Sequence, residues 1–304
     1  MNLIELLRKG FLRKAYLTVE RCLSIIPDEI YLKGIYFVKL HKKLHLDPPV
    51  TFNEKLQWLK LHDRNPRYTS MVDKYEVKRI VGDLIGNEHI IPTIGVWDRF
   101  EDIDFDELPD KFVLKCTHDS GSVYICRDKK SMNKKKAAKR FKSALKRNYY
   151  WGGREWPYKN VPRRIIAEPY IPSLGNHDSK EYKITCFNGK LGFSTICTGI
   201  AHSKLSARKN DHYDKDFNTL PFWSFYEHSE NPVKEKPIEL DQIIEFAERI
   251  SKGIPYLRVD FYVAGEAIYF GETTFYTWSG FNKFVPKEWD EKLGDMINLQ
   301  LTAE

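Results

Sequence analysis

The sequence predicts an α+β fold, and three observations support this. Apolar residues recur with a helical period through the first part of the chain, and with strand-like patterns from about residue 89 onward. A few helices interrupt the later strands, without the regular alternation of parallel α/β proteins. With 304 residues, of which 42% are hydrophobic and 14% aromatic, the chain is long and apolar enough for a substantial core.

Residues 1–68 are predicted to form a helical N-terminal region. Its apolar-periodic pieces are "NLIELLRK", "AYLTVERCLSII", "YLKGIYFVKLHKKL" and "NEKLQWLKLHD", the last with Leu56, Trp58 and Leu59 as its buried side. Thr51 and Glu54 have the Thr-x-x-Glu spacing of a capping box at the start of the last piece.

One further helix, "SMVDKYEVKRIVGDLIG", is expected to end at the glycine that closes it. The predicted strands then lie in "HIIPTIGVWD", "DKFVLKCTHDSGSVYICRD", "RRIIAEPYI", "KEYKITCFNGKLGFSTICTG" and "LRVDFYVAGEAIYFGETTFY". Helices are predicted in "LDQIIEFAERISKGI" and "PKEWDEKLGDMINLQL". The lysine-rich stretch 127–147 predicts a surface helix, because Ala137, Phe141, Ala144 and Leu145 recur at helical spacing.

Composition excludes some functions and leaves others open. The net charge of +7 permits an anionic partner, but the lysine-rich stretch lacks the interleaved aromatic residues of base-stacking surfaces, so we expect no nucleic-acid partner. No apolar run is long enough to span a bilayer, and the first residues do not resemble a signal peptide. The five cysteines form no CxxC pair, which suggests reduced thiols in a cytoplasmic protein.

The stretch "YLRVDFYVAGEAIYFGETTFY" (256–276) predicts a hairpin that carries two carboxylates, Asp260 and Glu272. With a three-residue loop, Arg258 faces Glu272, and the two carboxylates lie diagonally on one surface, roughly 7–8 Å apart. Mg²⁺ favours one or two carboxylates completed by water and phosphate oxygens. A two-residue loop places the carboxylates on opposite faces, and a structural ion pair with Arg258 is the alternative.

Three further stretches carry ionisable residues on strands. In "FVLKCTHDSGSVYIC", Lys115 lies within an apolar strand, before a small-residue loop whose N–H groups can approach a phosphate. In "RRIIAEPYI", Glu168 either binds an adenine edge or ends an ordinary strand. In "SKEYKITCFNGK", Lys183 either reaches a terminal phosphate or pairs with Glu181. The chain contains neither a Walker A motif nor a G-x-G-x-x-G motif.

In their order, these stretches resemble the ATP-grasp superfamily. The resemblance is closest to its TupA-like branch, which is found with teichuronopeptide and capsular polysaccharide biosynthesis, and it covers roughly residues 50–300. The most specific signatures are "TFNEKLQWLKL", "DKYEVK", "LPDKFVLKC", "RVDFY", "YFGETTFY" and "EWDEKLGD". The resemblance implies an ATP-grasp domain over 69–304, with a nucleotide-binding subdomain at about 69–170 and a metal-binding subdomain at about 171–304.

The resemblance also implies roles for individual residues. Lys74 and Lys115 contact the nucleotide, and His118, Asp119, Ser120, Gly121 and Ser122 form a loop over its phosphates. Glu168 takes the adenine amino group, with the backbone at Tyr170 and Ile171 beside it. Lys183 meets the γ-phosphate, Arg258 stabilises the transferring charge, and ATP is held with Mg²⁺, two ions in number. The metal ligands are Asp260, Glu272 and Thr274.

The sequence departs from the family pattern at three places. Thr274 stands where many relatives have a ligand asparagine, and a hydroxyl is a less certain magnesium ligand. Asp119 stands in the phosphate loop, where a small residue is more comfortable; it turns outward or touches metal. The helical region 1–68 takes the place of the usual Rossmann-like front domain. The sequence therefore does not indicate which part of the chain holds the acceptor.

The function expected from the resemblance is an ATP-dependent carboxylate–amine ligase that works through an acyl phosphate. Its expected partners are a uronic acid-containing saccharide acceptor and an amino acid or related amine. The loop "YTWSGF" (276–281), Arg208, His212 and Tyr213 are candidates for the acyl-phosphate pocket. The expected location is the cytoplasm, with contact at the inner face of the membrane left open.

Three alternatives remain at this stage. The same ATP grip serves a sugar kinase, and the protein can also be a binding module without catalysis. A glycosyltransferase would use the Asp-x-Asp of "DIDFD" (102–106) to bind a metal and a sugar diphosphate. Because these acids stand in a run of charges between turn signals, we interpret them as a solvated turn.

Overall fold

A computed structural model describes residues 24–172, 180–199 and 207–300. The predicted piece "NLIELLRK" and most of "AYLTVERCLSII" lie outside these residues. Within the described ranges, no helix has the length and hydropathy needed to cross a membrane. The four described cysteines are buried and form no disulfide: Cys116, Cys126, Cys186 and Cys197.

The described part of the chain begins with the helices α1 (Asp28–Leu40) and α2 (Phe52–His62). The predicted capping box of α2 is confirmed: Thr51 accepts the Glu54 N–H, and the Glu54 carboxylate accepts the Thr51 N–H at 3.0 Å. The buried side of α2 was only partly predicted, because Trp58 is half-buried while Asn53, Gln57 and Lys60 are buried. These polar residues bind a loop near the end of the chain, described below.

The single helix predicted for "SMVDKYEVKRIVGDLIG" is wrong, because the segment forms two helices, α3 (Arg67–Val72) and α4 (Glu76–Ile85). In the break between them, the Asp73 carboxylate accepts a hydrogen bond from Arg164 at 2.8 Å. The backbone N–H of Lys74 donates to the Thr117 carbonyl at 3.2 Å instead of to a helical partner. The break therefore fixes Lys74 beside the loop after β2. As expected, α4 ends before Gly86, whose φ of 104° suits glycine.

The first sheet has the strand order β1-β4-β2-β3 and is antiparallel throughout. Its strands are β1 (Gly95–Trp97), β2 (Phe112–Cys116), β3 (Val123–Cys126) and β4 (Ile165–Pro169). The lysine-rich stretch forms α5 (Lys134–Leu145), which buries Ala137, Phe141 and Ala144 against this sheet, with Leu145 packed at the margin. The predicted hairpin and the predicted apolar side of the helix are confirmed. A short helix, α6 (Tyr150–Gly153), follows.

The second sheet has the strand order β10-β9-β5-β6-β7 and is also antiparallel. Its strands are β5 (Lys180–Phe187), β6 (Lys190–Thr198), β7 (Lys209–Tyr213), β9 (Tyr256–Ala264) and β10 (Ala267–Thr274). The predicted helix α7 (Leu240–Ser251) contacts β5, β6 and β9, burying Ile243, Ala247 and Ile250 in the largest core cluster. The opposite face of β9 carries the polar residues of the site.

Three short elements complete the chain. Strands β8 (Trp223–Ser224) and β11 (Phe284–Val285) pair with each other, and α8 (Trp289–Asp295) packs against α2. Strands β7, β8 and β11 were not predicted. The antiparallel sheets with interspersed helices confirm the α+β prediction.

Candidate functional site

The two carboxylates of the β9–β10 hairpin stand directly opposite each other, by a geometry that the sequence did not suggest. The loop has two residues, Gly265 and Glu266, so the three-residue loop was wrong. The register then shifts between Phe270 and Glu272, and this β-bulge pairs Glu272 with Asp260. Directly paired residues share a face of the sheet. The bulge therefore offsets the effect of the short loop.

Gly271 occupies the bulge because no side chain fits there. A Cβ on this residue would lie 2.8 Å from the Tyr262 ring and 3.0 Å from the Asp260 carbonyl oxygen. The bulge also breaks the shared face predicted for Ile268, Phe270, Glu272 and Thr274, since Phe270 pairs with Phe261 and Glu272 pairs with Asp260. Bulges of this kind commonly re-aim a side chain next to a site.

Asp260 is fully buried and bound by two cations. Arg258 Nε donates to Oδ1 at 2.6 Å, Arg258 Nη2 donates to Oδ2 at 2.8 Å, and Lys183 Nζ donates to Oδ2 at 2.7 Å. Burial alone would raise the pKa of Asp260, but the two cations outweigh it and lower the pKa below its usual value. Lys183 also donates to Glu181 at 2.6 Å. Both pairings considered from the sequence, Arg258 with an acid and Lys183 with Glu181, are present.

Glu272 is the more accessible carboxylate. Its side chain is 44% exposed, and its nearest cation is Arg258 Nη2 at 3.7 Å. Thr274 Oγ1 accepts a hydrogen bond from the same Nη2 at 3.0 Å. The described residues contain no group of three or more histidine, cysteine or acidic side chains arranged for a metal.

The oxygen ligands available here fit Mg²⁺ only in part, because some of them already bind cationic side chains. Glu272 and the Thr274 hydroxyl are hard oxygen ligands on one face, as Mg²⁺ prefers. Asp260 adds a third, but its oxygens already accept from Arg258 and Lys183, so metal binding there exchanges one of these contacts. Two carboxylates leave most of an octahedral shell to be filled by phosphate and water oxygens.

A cluster of lysines surrounds Glu168 on β4 of the first sheet. Lys78 Nζ lies 2.7 Å from Oε1, and Lys115 Nζ lies 2.5 Å from Oε2. Burial would raise the pKa of Glu168, but Lys115 and Lys78 together lower it. Lys78 was not singled out, although it ends the motif "DKYEVK"; its position on α4 one turn after Lys74 is the signal that would have found it.

Lys74 lies across the same space from the loop after β2. Its Nζ donates to the Asp119 carbonyl at 2.6 Å. Within the loop, Ser120 and Gly121 face the cavity described next, and Gly121 has a φ of 90° with open space around it.

The side chains of the loop residues on either side turn away. His118 Nε2 bonds the Ala144 carbonyl at 3.1 Å, and the Ser122 hydroxyl donates to Asp119 Oδ2. Asp119 is buried with Arg147 Nη2 at 3.4 Å, so it does not turn outward.

A cavity of about 150 Å³ joins the two sheets. Six of its lining residues come from the predicted site: Lys74, Lys115, Ser120, Gly121, Glu168 and Glu272. Apolar side chains such as Val77, Ile91 and Val123 complete it. This mixture of apolar walls and a few convergent charged groups is typical of a ligand site. The second sheet also carries the ion pairs of Asp260 with Lys183 and Arg258, and Thr274 is hydrogen-bonded to Arg258. None of these four residues lines the cavity.

The residues after Glu168 contribute less. Tyr170 is half-buried, with Arg127 Nε at 3.4 Å from its hydroxyl, and Ile171 follows it. Neither is among the lining residues of the described cavity.

The loop at 276–281 follows β10, the strand that carries Glu272 and Thr274. Side chains of α2 donate hydrogen bonds to its backbone. Lys60, which is buried, donates to the carbonyls of Gly153 and Ser279 at 2.7 and 2.8 Å. Gln57 donates to the Gly280 carbonyl at 2.7 Å. Burial lowers the pKa of Lys60 to about 7, although Glu155 nearby opposes this shift. The sequence did not identify Lys60, because a lysine within a helix ordinarily signals an exposed position.

His212 and Tyr213 are buried packing residues. His212 accepts or donates a hydrogen bond with Thr195 Oγ1 at 2.8 Å and stacks on Phe222 with ring centroids 4.6 Å apart. Burial lowers the pKa of His212 to about 3, so it stays neutral near pH 7. Tyr213 stacks on Phe217. Arg208, just before β7, is half-buried.

Two antiparallel sheets flank a cavity lined by lysines and two carboxylates, Glu168 and Glu272, an arrangement expected for an ATP-grasp fold. The family model described as TupA-like ATPgrasp matches residues 54–298, and the chain therefore belongs to this family. The resemblance noted from the sequence is confirmed. Family membership supports ATP-dependent ligation as the general class of reaction.

Solved structures with detectable similarity are distant. D-alanine–D-alanine ligase from Bacillus anthracis, complexed with ATP, is 19% identical, with 85% of this chain and 71% of that chain covered and a TM-score of 0.45. D-cycloserine synthetase DcsG is 13% identical over 77% and 71% of the chains, with a TM-score of 0.42. The ATP-grasp ligase PsnB, complexed with its minimal precursor, is 10% identical over 82% and 67%, with a TM-score of 0.40. No match is found among curated proteins.

Proposed function

We propose that this protein is an ATP-dependent carboxylate–amine ligase. The observation that carries the proposal is the cavity between the sheets, which has lysines on one side and the Glu272 carboxylate on the other. A nucleoside triphosphate needs cations along its phosphates and a divalent ion bound to the phosphate oxygens. We infer the matching division of the chain, with the nucleotide held mainly by residues 69–170 and the metal by residues 171–304.

The substrate carboxylate is a poor electrophile until it is phosphorylated. One of its oxygens attacks the γ-phosphorus of ATP, the bond to the β–γ bridging oxygen breaks, and ADP leaves. The nitrogen of a neutral amine then attacks the acyl carbon, phosphate departs with the bonding electrons, and the amide nitrogen loses a proton. Positioning and charge neutralisation supply most of the catalysis in such transfers, and no nucleophilic side chain is needed.

The residues of the site divide this work. Lys74 and Lys115 bind the phosphates, with the N–H groups of Ser120 and Gly121 above them. Glu168 orients Lys78 and Lys115, which lie on either side of it, and accepts a hydrogen bond from the adenine amino group. Arg258 and Lys183 neutralise charge on the transferring phosphoryl group. Glu272, Asp260 and Thr274 would hold Mg²⁺, which we propose as two ions. The metal would neutralise charge on the phosphate oxygens.

The substrates proposed are a uronic acid of a cell-surface polysaccharide, or of its precursor, and an amino acid or related amine. This choice of substrates rests on the TupA-like family, because that branch of the superfamily is found with teichuronopeptide and capsular polysaccharide biosynthesis. Such a reaction would take place in the cytoplasm, where ATP is available, or at the inner face of the membrane.

The test is an ADP-release assay in which amino acids are screened against acceptors that contain glucuronic or galacturonic acid. Mass spectrometry then looks for the amide. Hydroxylamine in place of the amine traps an acyl phosphate as a hydroxamate. A phosphorylated sugar without hydroxamate identifies a kinase instead and overturns the ligase proposal.

A pair of variants links the activity to the site. Glu272→Gln is expected to lower turnover by about 100-fold or more, since it removes a charge from the transition-state environment. Glu266→Gln, in the exposed turn of the same hairpin, is the matched control and should retain full turnover. ATP turnover that survives in Glu272→Gln contradicts the proposed metal site.

A further inference from the structure

Three aromatic side chains form an exposed cluster beside the loop at 276–281, and we name Phe225, Tyr226 and Trp278 the aromatic platform. The rings of Phe225 and Trp278 stack with centroids 3.8 Å apart and planes 19° apart. Phe225 is 61% exposed and Trp278 is 40% exposed. Tyr226 packs edge-on against Phe225 at 5.1 Å. Large rings left this accessible need an explanation, since burial of such rings is favourable.

Both exposed rings stand on strained backbone. Phe225 has a φ of 66° and Trp278 a φ of 52°, both in the left-handed region that residues with a Cβ rarely adopt. Trp278 is followed by Ser279, with a φ of 56°, whose carbonyl accepts from both Lys60 and Gln57. The strained turn at 277–280 is therefore held by hydrogen bonds from α2. Strain that the surrounding structure maintains commonly marks a ligand-binding segment.

The aromatic platform is continuous with the proposed active site. Trp278 directly follows Thr277, whose hydroxyl lies 2.6 Å from the Tyr256 hydroxyl and 3.5 Å from Arg258 Nη1. Arg258 in turn binds Asp260 and approaches Glu272. A group resting on the Trp278 ring is thus one residue along the chain from a contact of Arg258.

The size of the aromatic platform limits its partner. A fully covered aromatic side chain buries about 150–250 Å². Three partly exposed rings therefore offer much less than the roughly 800 Å² per partner of a stable protein interface. One face of a pyranose ring matches this area, because its axial C–H groups form a small apolar surface that packs on the electron-rich face of an aromatic ring. Its hydroxyl groups stay at the edge, in contact with water.

We propose that the aromatic platform binds the acceptor saccharide, with a pyranose ring stacked on the solvent-facing side of the Phe225–Trp278 stack. This inference rests on the proposed function, and it specifies where the sugar part of the substrate is recognised. The platform holds the ring, and the carboxylate to be activated extends toward Arg258. The phosphate-binding residues on the first sheet take no part in sugar recognition.

The first test measures sugar binding without ATP. Saturation-transfer NMR is recorded on the full chain with the methyl glycosides of glucuronic acid, galacturonic acid, glucose and N-acetylglucosamine. For at least one glycoside, we expect the ring C–H protons to receive saturation from aromatic protons. Phe225→Ala and Trp278→Ala should remove this transfer, whereas Trp278→Phe should retain part of it. Absence of ring-dependent transfer with all four glycosides overturns the proposal.

The chain offers a matched control. Phe37 on α1 is 60% exposed, nearly the same as Phe225, but it lies on a different element. Phe37→Ala should leave saturation transfer unchanged. An equal loss in Phe37→Ala and Phe225→Ala indicates a non-specific aromatic effect and overturns the proposal.

A kinetic measurement separates this inference from the proposed function. In Phe225→Ala and Trp278→Ala, KM for the acceptor should rise at least tenfold while KM for ATP stays within twofold. If amide formation occurs and the acceptor KM is unchanged, the ligase proposal stands and the platform proposal fails. If no amide forms while the glycosides still bind the wild-type platform, the platform proposal stands and the ligase proposal fails.

Discussion

The two sheets that flank the cavity carry charged clusters of opposite sign. The lysine side consists of Lys74, Lys78, Lys115 and Glu168, which is three cations against one carboxylate. The acid side consists of Glu181, Asp260 and Glu272 with Lys183 and Arg258, which is three carboxylates against two cations. Each side is a network of ion pairs, and in each the excess charge is left for a ligand.

This difference separates the two ligands of the proposed reaction. A polyphosphate is attracted to the lysine side, and a divalent cation is attracted to the acid side. The acid side also differs within itself, because Asp260 has no exposed surface while Glu272 is 44% exposed. Asp260 therefore holds Arg258 and Lys183 in place as well as being a candidate ligand, whereas the structure needs Glu272 much less.

The largest expected effect is on stability, in Asp260→Asn. The substitution leaves two buried cations without their shared partner, and removal of one member of a buried ion pair costs about 3–5 kcal/mol. The free energy of unfolding, measured by urea denaturation, should fall by this amount. In Glu272→Gln it should fall by less than about 1 kcal/mol, as for exposed pairs. Equal losses in both variants would refute the distinction drawn between the two carboxylates.

The lysine side is tested by Lys115→Met. Loss of a charged hydrogen-bond donor costs about 1.5–3 kcal/mol, so the dissociation constant of ATP should rise about 10- to 100-fold. Isothermal titration calorimetry with ATP and Mg²⁺ measures this constant. Lys111→Met is the control, because Lys111 is exposed just before the same strand, and it should bind ATP normally. Normal binding by Lys115→Met would remove the lysine side from the nucleotide site.

The fold class and six of the residues that line the cavity were predicted from the sequence, and the register of the hairpin was not. Alternation indicated that Asp260 and Glu272 lie on strands, but a β-bulge has no periodic signature, and a glycine such as Gly271 has several possible meanings. Buried Lys60 was missed for a related reason. Its four oxygen acceptors come from Gln57, Gly153 and Ser279, which are far apart in sequence except for Gln57.

Gly271→Ala tests the bulge with a smaller effect. The added Cβ meets the Tyr262 ring at 2.8 Å and the Asp260 carbonyl at 3.0 Å, so the hairpin must shift to admit it. We expect kcat to fall about tenfold, because small misplacements of reacting groups lower rates by such factors. Gly34→Ala, on α1 with no atom within 4 Å of the new Cβ, should leave kcat unchanged. A wild-type kcat in Gly271→Ala would show that the bulge does not aim Glu272.

The smallest expected effect concerns the acidic segment 102–106, none of whose residues lines the described cavity. Asp102 and Asp104 are exposed and flank the buried Ile103; Asp104 accepts the Asp106 N–H at 2.9 Å in a local turn, and Arg99 lies 3.7 Å from Asp102. The double variant Asp102→Asn, Asp104→Asn should keep ADP release within twofold of wild type, since solvated charges in a turn contribute little. A large loss would contradict the interpretation of these acids as a solvated turn. Glu272 differs from these two acids because it lies across a cavity from lysines, and that position is the physical reason to propose Glu272, and not Asp102 or Asp104, as a metal ligand.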